Sequence, residues 1–300
     1  MGTYEERLFF LDWLGGRILS ANTDGTDVRA VVTNNCREPD GIAVDVAAGH
    51  LYWTNMGTPD GDDGFILRSD LDGSNITVIV PAGATFTPKQ MQLDRVNGKL
   101  YWSDREGMRI MRSSTDGSGI ETLVTLGVGD KERADQTHWS VGMALDIGAR
   151  KFYWTQKGGD DAGLGVIKRA GFDMPAGEDD TNRSDIEVLF EGLPEPIDIE
   201  LDIENQQLYW TDRGDNTVNR AGMNLPDGCT AGNRQDREIL VTAVTAAIGL
   251  ALDRNGRRMF YTTLFDARIG AADMDGGGAT WIHTSEGSNL TGIAFARIPV

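Results

Sequence analysis

Leu51-Tyr52-Trp53-Thr54-Asn55 and Leu100-Tyr101-Trp102-Ser103-Asp104 are two copies of an aromatic phrase that occurs six times in this 300-residue chain. The remaining copies occupy residues 8–12, 152–156, 208–212 and 259–263. The central aromatic residues of successive copies lie 43 to 56 positions apart. A period in this range indicates one supersecondary unit used six times.

Each aromatic phrase stands at the same place in a longer strand pattern. An alternating apolar segment that ends in Asp precedes it, as in Gly41-Ile42-Ala43-Val44-Asp45, and two shorter strand-like runs follow it. The last turn of most units contains Asp-Gly, at Asp24, Asp72, Asp116, Asp227 and Asp275, and this pair tolerates the positive φ angles of tight hairpins. Four strands per unit predict an all-β, six-bladed β-propeller of antiparallel blades. The predicted blades of this single domain (1–300) are 1–34 with 287–300, 38–81, 88–126, 139–191, 194–242 and 245–284.

The two ends of the chain predict how the ring closes. Residues 289–296 repeat the segment that normally precedes an aromatic phrase, yet no phrase follows them. The phrase at residues 8–12 lacks such a segment before it. We therefore expect the C-terminal strand to pair with the N-terminal blade.

The repeated unit resembles the YWTD repeat, the class B repeat of lipoprotein receptors, and the resemblance covers nearly the whole chain. It implies the six-bladed propeller fold. It leaves function open, since propellers serve both as binding modules and as enzymes.

The charge and the cysteine content limit which partners and which cellular compartment we expect. The chain has 46 acidic and 28 basic residues, a net charge of −18, which disfavours nucleic acid and anionic membranes as partners. Cys36 and Cys229 lie in different parts of the repeat, so we expect reduced thiols. The first residues lack a secretory signal pattern, and no apolar run has membrane-spanning length. We expect a cytoplasmic protein, and its oligomeric state stays open.

Common catalytic and cofactor motifs are absent from the sequence, so we expect no bound cofactor. Calcium or another divalent ion is the alternative, because six-bladed propellers also support lactonase-like metal hydrolases. Such a site needs three or four inward oxygen ligands. The available pool is Glu38, Asn55, Asp104, Asp198 and Asp212.

When the six inner strands are aligned, each aligned position forms a column of six residues. The first and third columns carry polar residues in blades three and five alone. Gln90 and Asp198 replace glycine in the first column, and Gln92 and Glu200 replace alanine in the third. A buried polar group costs free energy unless it is paired or faces a wet cavity. The four residues predict a polar pocket over blade four; the alternative is that they satisfy one another between blades.

Blade four has the longest entering loop on the same face, and this loop carries His138 and Trp139. His138 is the histidine best placed for proton transfer, with Glu200 or Asp198 to orient it or the substrate. Trp139 is a candidate for stacking on a flat ligand. Further substrate-binding candidates are Gln90, Gln92 and four residues of the loops that follow the second strands: Trp13, Phe265, Arg105 and Arg213.

Three functions fit these features. The favoured one is an enzyme of secondary metabolism that acts on a small apolar molecule in the central funnel, because the chain is similar to fungal hetero-Diels–Alderases of tropolone–sesquiterpenoid pathways. Such a cycloaddition requires positioning, desolvation and proton-transfer assistance without a cofactor. The alternatives are the metal-dependent hydrolase and a receptor-type protein-binding module.

Overall fold

The computed structural model describes residues 3–299, which form six four-stranded antiparallel sheets. The innermost strand of each sheet contacts the innermost strands of both neighbouring sheets, so the six blades form a closed ring. The predicted six-bladed propeller is therefore confirmed. From the axis outward, blade one contains β24 (Leu290–Pro299), β1 (Tyr4–Asp12), β2 (Arg17–Asn22) and β3 (Arg29–Val32), and blade two contains β4 (Pro39–Asp45), β5 (His50–Asn55), β6 (Phe65–Asp70) and β7 (Thr77–Val80). In the same order, blade three contains β8 (Pro88–Asp94), β9 (Lys99–Asp104), β10 (Arg109–Ser114) and β11 (Glu121–Thr125), and blade four contains β12 (Ser140–Asp146), β13 (Lys151–Gln156), β14 (Gly165–Gly171) and β15 (Glu187–Leu193). Blade five contains β16 (Pro196–Asp202), β17 (Gln207–Asp212), β18 (Thr217–Gly222) and β19 (Glu238–Val241), and blade six contains β20 (Ala247–Asp253), β21 (Arg258–Thr263), β22 (Arg268–Asp273) and β23 (Thr280–Thr284).

Ring closure uses the two ends of the chain, as predicted. β24 pairs antiparallel with β1, with Phe295 opposite Leu8 and Ile293 opposite Phe10. The Ser288 hydroxyl also donates a hydrogen bond to the Asp12 carboxylate at the end of this pairing. Ladder hydrogen bonds and apolar contacts therefore join the termini without a covalent bond.

The aromatic phrase holds neighbouring blades together. Its tryptophans are fully buried between blades. The hydroxyl of Thr54 accepts a hydrogen bond from the Gly41 amide (2.7 Å) and donates one to the Lys89 carbonyl of the next blade (3.0 Å). Because a β-carbon on Gly41 would lie 2.4 Å from that carbonyl oxygen, glycine is required where two inner strands come this close.

In blades two to six, the Asp that ends the inner strand caps the following hairpin. The Asp146 carboxylate accepts a hydrogen bond from the Ala149 amide (2.8 Å), and Asp253 accepts one from the Gly256 amide (3.0 Å). The equivalent aspartates of the other blades bind the same part of their hairpins. These carboxylates serve the backbone.

Among the described residues, 3–299, helix occurs only in the loop that enters blade four. It contains α1 (Gly129–Arg133) and a single 3₁₀ turn (Gln136–His138). Within residues 3–299, no helix is long and apolar enough to cross a membrane. Cys36 and Cys229 are both free thiols, as expected.

Candidate functional site

Two cavities lie at opposite ends of the central channel. The upper cavity, of about 350 Å³, is lined by the starts of the inner strands, the loops that enter them and the loops that follow the second strands. The lower cavity, of about 450 Å³, is lined by the later halves of the inner strands and their hairpins. The predicted site residues divide between the two.

One residue from each inner strand lines the floor of the upper cavity. In blades two to six the strand pairing is irregular just before the first glycine column, for example between Pro39 and Ile42. This bulge turns the residue just before the glycine column, Asp40 in blade two, toward the axis. The six floor residues, one per blade, are Asp40, Lys89, Val141, Ile197, Ile248 and Thr291.

Half of this floor is apolar. Val141, Ile197 and Ile248 are buried and pack together, with Leu264 against them. Three aliphatic side chains at the closed end of a cavity favour an apolar ligand body.

The other half of the floor carries a buried ion pair. Lys89 Nζ lies 2.6 Å from Asp40 Oδ1, and the two side chains are 10% and 1% exposed. Lys89 also contacts Met56 Sδ at 3.2 Å, and Asp40 Oδ2 accepts a hydrogen bond from Gln90 (3.2 Å). Burial lowers the pKa of Lys89, and the Asp40 carboxylate opposes that shift. The floor therefore offers one desolvated ammonium group.

A second charged cluster stands on blades four and five. The Glu195 carboxylate accepts hydrogen bonds from Lys157 Nζ (2.6 Å) and from Arg213 Nη2 (2.5 Å). Asp160 accepts from the same two cations, at 3.0 Å and 2.6 Å. Glu195 is buried, whereas Asp160 is largely exposed.

Trp139 lies beside two cations of the upper cavity, Arg105 and Lys157. The Arg105 guanidinium carbon is 5.0 Å from the centre of its ring, and Lys157 Nζ is 5.7 Å from it. Its indole N–H donates to the Arg133 carbonyl (2.8 Å). Arg105 in turn pairs with Glu106, which is buried. The ring of Trp139 thus makes cation–π contacts with two cations, and its stacking on a flat ligand stays a prediction.

Of the ten predicted catalytic and substrate-binding residues, four line the upper cavity, four line the lower cavity and two line neither. Trp13, Trp139, Arg105 and Arg213 are in its wall, and the indole N–H of Trp13 is buried with no partner among the described residues. Phe265 is outside the lining and 67% exposed.

His138 also lies outside the lining of the upper cavity. Its Nδ1 is 2.5 Å from the Leu126 carbonyl oxygen, so the Nδ1–H group donates a hydrogen bond to the backbone. Asp198 and Glu200 line the lower cavity, so the structure does not bring either carboxylate to His138. The expected arrangement, in which one of them orients the imidazole, is not formed.

Gln90, Gln92, Asp198 and Glu200 face the lower cavity. Gln92 donates a hydrogen bond to Glu200 across the channel (2.9 Å), and Arg254 donates to the other Glu200 oxygen (2.8 Å). Asp198 accepts hydrogen bonds from the Ile199 and Leu250 amides. These polar residues line the lower cavity, at the opposite end of the channel from the loop that enters blade four, so they do not form the pocket predicted with that loop. They satisfy one another or the backbone between blades, which is the alternative that the sequence left open.

Burial raises the pKa of Asp198 and of Glu200 in the lower cavity. For Asp198, which is fully enclosed, the Glu200 charge raises the pKa further. For Glu200, the Arg254 charge and the Gln92 hydrogen bond oppose the effect of burial.

The predicted pool of metal ligands serves other purposes. Asn55 accepts a hydrogen bond from the Arg37 amide, Asp104 from Thr87, and Asp212 from Glu195, so the last residue of the phrase anchors the loop entering its own blade. Glu38 lines the upper cavity and Asp198 the lower one. Among residues 3–299, no group of three or more His, Cys, Asp or Glu side chains is placed to hold a metal ion.

Sequence reasoning missed most of the charged residues of the upper cavity. The repeat register assigns Asp40, Lys89 and Glu195 to the segments that enter the inner strands on this face, yet nothing in the sequence singles them out. The column comparison would have found Asp40 and Lys89 if it had begun one residue earlier. No pattern marks Lys157 and Asp160, which belong to the loop between the second and third strands of blade four.

Comparison with known proteins places the chain among class B repeat propellers. The low-density lipoprotein receptor repeat class B model matches residues 6–46. A low-density lipoprotein receptor-related protein 1 of Pyricularia oryzae is 43% identical over 290 residues, 93% of this chain and 92% of that protein. A chain in the crystal structure of a nidogen/laminin complex superimposes with a TM-score of 0.73 at 20% identity, covering 97% of this chain and 98% of that one, which supports the fold.

A second relative is longer than this chain. The 3-hydroxyacyl-CoA dehydrogenase-like protein LAM1 of Cochliobolus heterostrophus is 36% identical over 292 residues, which is 94% of this chain and 61% of LAM1. The fold and these matches define a six-bladed propeller of YWTD type. The chain belongs to the low-density lipoprotein receptor class B repeat family, with the Pyricularia oryzae protein as a relative over nearly its whole length.

Proposed function

We propose that this protein is an enzyme of secondary metabolism that binds a small, mostly apolar substrate in the upper cavity and catalyses a cofactor-free cycloaddition of hetero-Diels–Alder type. The observation that carries the proposal is the floor of that cavity, where three aliphatic side chains adjoin one buried Lys89–Asp40 pair. An apolar body with one polar oxygen fits this surface.

The chemistry needs little from the protein beyond binding and polarisation. In the cycloaddition, an unsaturated carbonyl and an alkene form one C–O bond and one C–C bond, and no group leaves. The apolar floor would hold the alkene against the heterodiene in a reactive orientation. A hydrogen bond from Lys89 Nζ to the carbonyl oxygen would withdraw electron density from the heterodiene, and the low local dielectric strengthens that effect.

Two further points support an enzyme. The similarity to fungal hetero-Diels–Alderases supplies the reaction class, and one relative, LAM1, has a name that refers to a dehydrogenase-like protein. The proposal gives no proton-transfer role to His138, because its ring binds the Leu126 carbonyl and lies outside the cavity lining.

A stereochemical assay tests the proposal. A tropolone-derived quinone methide is incubated with a sesquiterpene alkene and the protein, and the adduct is separated by chiral chromatography. We expect one enantiomer in excess with the native protein. The double variant Asp40→Asn/Lys89→Gln removes both floor charges together, so it leaves no unpaired buried charge, and it should reduce that excess strongly. Arg95→Gln, in the half-exposed rim of the lower cavity, is the matched control. A racemic adduct with native protein, or an excess that is the same in all three proteins, would overturn the proposal.

A protein-binding role is the second candidate. Leu14, Leu164 and Phe265 are exposed on loops of the upper face, and the name of the Pyricularia oryzae relative is that of a receptor-related protein. Replacing all three by Ser should leave the stereochemical assay unchanged if the enzyme proposal is correct. Loss of stable association with a cellular protein in the same triple variant would favour the binding module.

A further inference from the structure

A loop on blade four brings an exposed carboxylate to two cations of the upper cavity. We propose that Lys157 and Arg213 form a binding site for a carboxylate or similar monoanionic group of the substrate, and that Asp160 occupies this site in the ligand-free protein. The inference rests on the proposed function, because it names the polar end of the molecule that the cavity takes.

The buried part of this cluster has one cation more than it has anions. Glu195 is 2% exposed and accepts hydrogen bonds from Lys157 Nζ (2.6 Å), Arg213 Nη2 (2.5 Å) and Arg213 Nε (2.9 Å). Lys157 is 7% exposed and Arg213 26%. Two cations therefore share one buried carboxylate, and a second anion is needed to balance them.

Asp160 supplies that second anion from a position open to solvent. Its side chain is 74% exposed, and it accepts hydrogen bonds from Lys157 Nζ (3.0 Å) and Arg213 Nη2 (2.6 Å). The hydrogen bond from Lys157 holds the pKa of Asp160 below its ordinary value, so the carboxylate is ionised at neutral pH. An exposed carboxylate can be exchanged for another at small cost, since the new anion regains the same charge-assisted hydrogen bonds.

The loop is built to allow such an exchange. It joins β13 to β14 and has glycines on both sides of Asp160, at Gly158, Gly159 and Gly163. Gly158 and Gly163 adopt φ angles of 68° and 67°. Asp160 lines the upper cavity, as does Ile197 of the apolar floor. A ligand that displaces Asp160 would thus place its charge on Arg213 and its body on the aliphatic side chains, as expected for an aromatic or terpenoid acid.

Calorimetric titration with two probes of equal shape tests the site. We expect 2-naphthoate to bind the native protein, and to bind the Asp160→Asn variant about threefold to tenfold more tightly, the factor that one or two exposed ion pairs provide. The uncharged 2-naphthamide should bind both proteins equally.

Two further variants serve as controls. Asp161→Asn removes the same charge from the adjacent residue, and among residues 3–299 Asp161 has no side-chain hydrogen bond or ion-pair partner. It should change the naphthoate affinity less than twofold. Arg213→Met should weaken naphthoate binding at least tenfold and leave naphthamide binding in place, which also shows that the variant is folded.

The outcomes separate the inference from the proposed function. Equal naphthoate affinities of the native and Asp160→Asn proteins, or an equal gain in Asp161→Asn, would overturn the inference while naphthamide binding still supports the cavity. Absence of naphthamide binding to native protein would instead count against the proposed function itself.

Discussion

Replacing Lys89 by methionine tests whether the floor of the upper cavity is as dry as the structure indicates. The substitution keeps most of the side-chain volume, and it leaves the Asp40 carboxylate, 1% exposed, with the Gln90 amide as its one side-chain partner among residues 3–299. Removing one member of a buried ion pair typically costs about 3–5 kcal/mol, because the other charge stays desolvated. In a chain of this size that loss lowers the melting temperature by roughly 5–8 °C.

Urea unfolding followed by tryptophan fluorescence measures the loss at neutral pH. Lys151→Met is the matched control, because Lys151 forms an ion pair of the same length with Glu187 (2.6 Å) where both groups are solvated. It should cost less than about 1 kcal/mol. The double variant Asp40→Asn/Lys89→Met should recover much of the stability. A Lys89→Met protein as stable as Lys151→Met would refute the buried pair and with it the desolvated ammonium group.

Three further predictions concern the core, the pH dependence and the loop histidine. Trp102→Ala should lower the free energy of unfolding by about 3–5 kcal/mol, because Trp102 is fully buried and donates a hydrogen bond to Thr85 (3.0 Å). Trp281 is 40% exposed, so Trp281→Ala should cost less than about 1 kcal/mol. Urea unfolding of the two variants measures both losses. Burial raises the pKa of Asp212 to about 6, so protonation of Asp212 stabilises the folded state. This contribution is complete below about pH 4 and is lost as the pH rises through 6. Asp212→Asn should therefore gain about 3 kcal/mol relative to native protein between pH 4 and pH 7 in urea melts, and an unchanged difference would contradict the shift. His138→Ala should change turnover less than about threefold, and a loss of 10²–10⁴-fold, the usual effect of removing a general acid or base, would return His138 to the mechanism.

The sequence predicts the fold well because the aromatic phrase has a structural role in nearly every blade. Trp53 fills the space between blades, and the hydroxyl of Thr54 joins two inner strands, so the same residue types recur wherever the same contacts recur. Ring closure is predictable for the same reason. An inner strand without its phrase and a phrase without its inner strand leave one possible pairing.

The site is less predictable because it is built where the repeat is irregular. A bulge at the start of the inner strand breaks the alternation, so Asp40 and Lys89 face the axis although simple alternation assigns that direction to the next residue. Gln92 and Glu200 do follow the alternation, and they lie at the other end of the channel. His138 lies outside the cavity lining because a 3₁₀ turn and a hydrogen bond to the backbone hold its ring there. The neighbouring sequence does not predict either feature.

Photolabelling of the native protein tests most directly whether the upper cavity binds the substrate. An uncharged naphthalene that carries a trifluoromethyl diazirine is irradiated with the protein, and the labelled residues are identified by peptide mass spectrometry. The account predicts labels on Ile197, Ile248 or Leu264 that disappear with excess 2-naphthamide. Labels confined to the strands of the lower cavity, or labels that excess naphthamide leaves unchanged, would contradict it.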